Sequence, residues 1–347
     1  MSRNQSVDVV RILAILGVIS IHTKPFLVPE GFPNDYYELL YVLINQLSRF
    51  AVPFFFVISG YYWGRGADAA PQYWDYAWQR AKRLIIVLLI WSVVYLLPYN
   101  VWGFGDHGWA GPVKLAYWHA LDVFSHPIDV FFGGTKVQLW YLVALIWATL
   151  LCGFFLQMGW RRWLPFAAVG LYVTGVFAKA YKLTPLGLSL PFDSVYGPLF
   201  STILFATGYW LSRQAVGPTW FKRGLIIYLL GLLIHFSEIW VLKERFNTYP
   251  IHDYVFGTYL LGVGVAIMAL SKSISIEWKW LPTVGSYTLG VYLSHFIFVD
   301  LFAPINRQLN NPVWEIGEVL LVYVCSLALT MLLMRNRFTK KMVVLSR

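Results

Sequence analysis

The stretch RILAILGVISIH, residues 11–22, decides how this chain folds. A cation and an imidazole bracket a run of apolar residues, and ionisable groups in hydrocarbon are costly enough to be kept mostly where they do chemistry or line a pathway. At about 1.5 Å of rise per helical residue, Arg11 and His22 stand roughly 16 Å apart, about half of a hydrocarbon core near 30 Å thick. One membrane helix can therefore hold a cation near one face and a titratable ring deep inside or toward the other.

The rest of the chain agrees with that solvent. Of 347 residues 58% are hydrophobic and 13% charged, with a mean hydropathy of +0.59, whereas soluble domains carry about 25% charged residues. At about 20 apolar residues per crossing, the chain fits a single all-α polytopic membrane domain, residues 1–347, as a bundle of about ten transmembrane helices. The segments fall near 7–25, 39–62, 84–102, 138–157, 163–181, 196–211, 224–241, 254–270, 284–302 and 316–334. The loop at 103–136 mixes Gly, Pro, aromatics and acids and suggests an amphipathic element at the interface. No internal repeat is evident, which weakens a transporter built from duplicated halves.

Charge sets the orientation. Most of the 27 basic residues fall before the first segment, in alternate loops and in the tail, which places both termini in the cytoplasm. The acids Glu30, Asp35, Asp106, Asp122 and Asp129 then picture an outer vestibule. The net charge of +10 suits membrane orientation and anionic lipid, and the absence of a basic face with interleaved aromatics argues against nucleic acid. Cys152 and Cys325 each stand alone in apolar runs, so neither a disulfide framework nor a zinc site is supported, and no metal-ligand spacing occurs. Asp8 and Arg11 interrupt the first apolar run without a small-residue cleavage site, which reads as a retained helix.

Several residues carry possible chemistry. Asp8 and Arg11, three apart on a helix, can pair and so lower the cost of each near the boundary. The ordinary pKa of histidine near 6.5 suits His22 to take and return a proton, while a satisfied packing histidine is the plainer alternative. In SRFAVPFFFVISGYYW, residues 48–63, Arg49 needs an anion, carbonyls or water, Pro53 suggests a kink, and Ser59-Gly60 suits close helix packing. In WQRAKRLI, residues 78–85, Arg80, Lys82 and Arg83 serve either as a topology signal or as a phosphate grip for a nucleotide-bearing donor. Trp109, Trp118 and Trp314 are candidate sugar contacts, and Glu238 either orients a polar partner or faces water.

The frame Asp8-x-x-Arg11-x(10)-His22, FFFVISGYY at 54–62, Arg80-x-x-Arg83, LWYL at 139–142 and YTLGVYLSH at 287–295 occur in that order over nearly the whole chain. Together they resemble the acyltransferase-3 family of integral-membrane acyltransferases, many of which modify cell-envelope polysaccharides. Ile12 and Leu13 stand where a glycine often follows the arginine in that family. The lack of an attached hydrolase-like domain points to its short, stand-alone O-acetyltransferases.

The resemblance implies roles. His22 would be the catalytic base, with Arg11 its supporting cation and Asp8 beside it. Arg80, Lys82 and Arg83 would hold the phosphates of acetyl-CoA or another acyl-CoA donor, with Arg49 and Ser59 lining the same interior and either one steadying the oxyanion. Trp140, Tyr141, Tyr287, His295 and Glu238 would face a saccharide or glycolipid acceptor. The expected location is a bacterial inner membrane, and no metal is expected. The main rival is a proton-coupled transporter or flippase of a glycan precursor, in which Arg11, Arg49, His22 and Glu238 form a relay; a third class is a sensor or scaffold for glycan assembly.

Overall fold

A computed structural model describes residues 4–27, 35–96, 110–271, 278–306, 309 and 311–343. The described residues are mostly helical, with no strands among them. The helices are α1 (Gln5–Thr23), α2 (Asp35–Leu47), α3 (Ala51–Ala67), α4 (Tyr73–Val94), α5 (Ala110–Ser125), α6 (Pro127–Gly133), α7 (Trp140–Gln157), α8 (Leu164–Lys179), α9 (Pro198–Ser212), α10 (Trp220–Phe246), α11 (Phe256–Leu270), α12 (Leu281–Ser286), α13 (Thr288–Asn306), α14 (Pro312–Arg335) and α15 (Lys340–Val343).

Each apolar segment read from the sequence coincides with helix where it is described, but the boundaries teach more than the count. Among the described residues five helices are long and apolar enough to cross a membrane: Gln5–Thr23, Asp35–Ala67, Val137–Gln157, Trp220–Phe246 and Pro312–Arg335. The segment expected at 39–62 belongs to a 33-residue run in which the 3₁₀ turn Ser48–Phe50 joins α2 to α3. Tightening at that point re-aims Arg49 without ending the helix. The segment expected at 284–302 is interrupted between α12 and α13, at Tyr287. The described part of the loop at 103–136, where an amphipathic element is expected, forms the helix pair α5 and α6, which exposes Val113, Tyr117, Trp118, Phe124 and Phe131.

Helix α1 is the pillar of the site. Asn4 caps it by accepting the Ser6 N–H at 3.1 Å, and its side-chain amide reaches the Ala269 carbonyl at the end of α11. The helix ends at Lys24, in the left-handed region at φ 54°, so the chain turns away just after His22. Around it pack α2, α3, α11, α12, α13 and α14. By contrast, α10 and α14 turn Leu229, Leu233, Trp240, Leu320 and Leu332 outward. That inside-apolar, outside-apolar distribution is what lipid allows.

Ser59-Gly60 divides its labour. A Cβ on Gly60 would overlap the Phe205 carbonyl, and one on Gly208 would overlap the Val57 carbonyl, so these two glycines let α3 and α9 cross in backbone contact. Gly60 is thus a packing residue, while Ser59 turns to the interior described below.

Candidate functional site

Helices α1 and α3 run antiparallel, because His22 shares one cavity with Arg49 while Arg11 shares another with Ser59. The His22 cavity, about 230 Å³, is bounded by Arg49, Trp140, Asp193, Asp253 and Tyr292. Arg49 rises from the 3₁₀ turn and is fixed on three sides. Its Nε and Nη2 donate to Asn45 Oδ1 at 3.1 and 2.8 Å, and its Nη1 donates to Asp253 Oδ1 at 2.9 Å. Lys179 at the end of α8 donates to the other oxygen of Asp253 at 2.9 Å and also to Asp193.

Two cations and two carboxylates therefore alternate along one wall, and each neutralises its neighbours. Burial pushes the Asp253 carboxyl up, but Arg49 and Lys179 outweigh it and leave the carboxyl well below the usual carboxylate range. Asp253 stays ionised, and so holds the guanidinium of Arg49 in place.

His22 makes no hydrogen bond to any described residue and faces this cavity. Its ring lies edge-on to Phe296 at 4.6 Å and tilted against His295 at 5.5 Å. An imidazole held by packing, with its nitrogens left to the cavity, can exchange a proton with a bound molecule.

At the opposite end lie two further cavities. One, about 250 Å³, carries Arg80, Arg83, Tyr62 and Trp63; the other, about 410 Å³, carries Tyr141, Ser286 and Tyr292. Arg11, Ser59, Leu84 and Leu145 line both, so they are adjoining chambers. Tyr292 lines the second chamber and the His22 cavity alike. The waist there is polar: Ser59 Oγ and Tyr141 Oη lie 3.4 Å apart, and Tyr141 stands edge-on to Tyr292 at 5.2 Å. Arg11 is held by Asp8 at 3.2 Å and lies over the Tyr62 ring.

The structure thus brings His22, Arg49 and Trp140 together, places Arg11, Ser59, Arg80 and Arg83 together, and puts Tyr141 between. His295 stands behind His22. Other expected groupings are corrected. Arg49 belongs with His22, not with Arg80 and Arg83, because antiparallel packing sends the start of α3 to the His22 end. Lys82 is exposed and lines none of these cavities, since it points off the face that carries Arg80 and Arg83. Glu238 accepts from the Tyr181 hydroxyl at 3.0 Å and the Gly257 N–H at 3.2 Å, tying α10 to α8 and α11 apart from the His22 cavity. Tyr287 lies partly buried at the α12–α13 break and lines none of these cavities either.

Of the expected vestibule acids, Asp35, Asp122 and Asp129 are exposed and outside the His22 cavity, while Glu30, Asp106 and the candidate Trp109 lie outside the described residues. Trp118 is exposed on α5 and Trp314 starts α14, both away from the cavity. The acids that do line it, Asp193 and Asp253, were missed, as was Lys179. Their signal was weak: each acid sits in a short polar interval just before an apolar segment, FDS at 192–194 and HDY at 252–254. Among the described residues no group of three or more His, Cys, Asp or Glu side chains is placed to hold a metal ion.

Comparison with known proteins adds an independent line. The model of the acyltransferase-3 family, described as an acyltransferase domain, matches residues 4–335. An amino-acid racemase of Enterococcus faecalis is 25% identical over 96% of this chain, and a serine/alanine racemase of Enterococcus gallinarum is 27% identical over 84% of it. The chain spans less than half the length of these relatives, 46% and 40% respectively. No solved structure matches.

Proposed function

This chain belongs to the acyltransferase-3 family, and from that premise we propose that it is a membrane O-acyltransferase. It moves an acetyl or other small acyl group from acyl-CoA to a hydroxyl of a cell-envelope saccharide or glycolipid. The observation that carries this reading is the adjacency of the chambers: a guanidinium-lined mouth at Arg80 and Arg83 adjoins an interior chamber that has Tyr292 as a shared wall with the His22 cavity. A donor with a polyphosphate head and a long arm ending in a thioester matches that shape. Arg80 and Arg83 have no carboxylate partner among the described residues, and guanidinium forks suit phosphate. In this reading the chain crosses a bacterial inner membrane ten times with both termini in the cytoplasm, so the basic mouth faces the donor pool.

The chemistry is direct transfer. The acceptor hydroxyl enters the His22 cavity, where Asp193, Tyr196 and Trp140 offer hydrogen bonds and an aromatic face. His22 takes the hydroxyl proton as the oxygen attacks the thioester carbonyl carbon. The tetrahedral oxyanion collapses, the carbon–sulfur bond breaks, and the thiolate recovers the proton from His22. Ester and free CoA leave by opposite ends. Arg11, beside Ser59 in the donor chambers, contributes positive charge along the path.

The racemase names favour a second reading, in which the same cavity binds a small amino acid. Asp193 would take its ammonium, with no acyl transfer. The test separates them: inverted membranes carrying the chain or its His22→Ala form receive radiolabelled acetyl-CoA, and label is followed into glycan. Transfer by the first and not by the second supports the transferase. Equal transfer rejects His22 as base, and no saturable acetyl-CoA binding by the unaltered chain favours the second reading.

A further inference from the structure

We propose that His295 is a positioning residue that sets the tautomer and tilt of His22. This rests on the assignment of His22 as the general base. His295 lies on α13 and is wholly buried, at 0% exposure. Its Nδ1 lies within hydrogen-bond distance of the Tyr292 carbonyl. A carbonyl only accepts, so Nδ1 carries the proton of the neutral ring and Nε2 carries a lone pair. That Nε2 has no partner among the described residues. A buried acceptor is costly to leave unmet, so the vacancy calls for a donor.

The hydroxyls nearby are already committed. Tyr292 donates its proton to the Gln138 carbonyl and Ser294 donates to the Gly290 carbonyl, so neither can serve Nε2. Two donors remain: the Gln138 side-chain amide, buried and without a partner among the described residues, and His22, whose ring lies against that of His295 at 5.5 Å and 35° and makes no hydrogen bond of its own to a described residue; the ring contact favours His22. A small rotation of His22 against the edge of Phe296 brings one ring N–H onto His295 Nε2. Its other nitrogen is then bare and free for the cavity, which is the form a general base needs. The charged groups around His22 are Arg49, Asp253 and Lys24, and none of them bonds its ring, so the orienting role falls to His295. The arrangement does with a neutral acceptor what a carboxylate does for the histidine of a Ser-His-Asp triad.

Two amide substitutions separate positioning from mere packing. Asn at 295 keeps a donor for the Tyr292 carbonyl but has no acceptor at the far position, whereas Gln reaches the far position and gives up the near donor. Initial rates of label transfer from radiolabelled acetyl-CoA into membrane glycan are measured in inverted vesicles carrying the full chain, normalised to folded protein, alongside His22→Ala. His295→Phe and His295→Asn should lower the maximal rate about 10- to 100-fold with the KM for acetyl-CoA unchanged, and His295→Gln should recover to within about fivefold. Wild-type rates in His295→Phe, or rescue by Asn and not Gln, overturn the inference and leave His22 as base. An active His22→Ala overturns the reading beneath it.

Discussion

The two ends of the α1–α3 pair use the same residue, arginine, for different purposes. At the His22 end, Arg49 is only 11% exposed and is bound by Asn45 and Asp253, with Lys179 and Asp193 continuing the chain of charges. At the other end, the partners of Arg80 among the described residues are the Tyr76 hydroxyl at 3.0 Å and the face of that ring. A guanidinium that is already paired spends its charge on holding a wall in place, while one that meets only a neutral ring keeps its charge for a ligand. The same side chain is therefore structural in Arg49 and available in Arg80.

The largest effect should come from His22, which faces a cavity and makes no hydrogen bond to a described residue. His22→Ala should lower acyl transfer at least about 100-fold while leaving acetyl-CoA binding intact; a matching loss of binding would merge the two ends into one site. Next, Arg80→Ala with Arg83→Ala should weaken acetyl-CoA binding about tenfold in isothermal titration. That gap should shrink at high salt, with the melting temperature unchanged. A salt-independent loss, or a drop in melting temperature, would make that end structural too.

Arg49→Ala should do the reverse. It leaves Asp253 without its guanidinium and should cost about 1–3 kcal/mol in stability, discounted because Asp253 opens onto the cavity, read as a lower melting temperature in detergent. The smallest effect is a pH dependence. Because the Asp253 carboxyl is held below its ordinary value, its contribution is complete above about pH 4–5 and is lost as pH falls through the native value. Asp253→Asn should be less stable at neutral pH and should lose that acid-side decline; an identical decline in both proteins would assign it to other carboxylates.

Much of the architecture could be read along the chain. Hydropathy and helical periodicity are local properties, so the apolar segments, the helical class and the membrane setting follow from neighbouring residues alone. The Asp8–Arg11 pair was equally legible, being three residues apart on one helix. The burial of Arg49 was legible too, but its partner was not. Asp253 lies 204 residues away, and nothing local marks it above the other acids. The position of Arg49 was likewise a tertiary matter: antiparallel packing of α1 and α3 puts it in the His22 cavity, apart from Arg80 and Arg83.

The sequence by itself determined that this is a helical membrane chain of the acyltransferase-3 family, with a basic pair near the start of α4 and an imidazole near the end of α1. Only the tertiary structure decided which arginines are neutralised, which acids wall the His22 cavity, and that three chambers adjoin between Arg80 and His22. The physical reason is range. Helix formation in an apolar solvent is settled within a few turns, whereas the pairing of buried charges depends on which helix ends packing brings together.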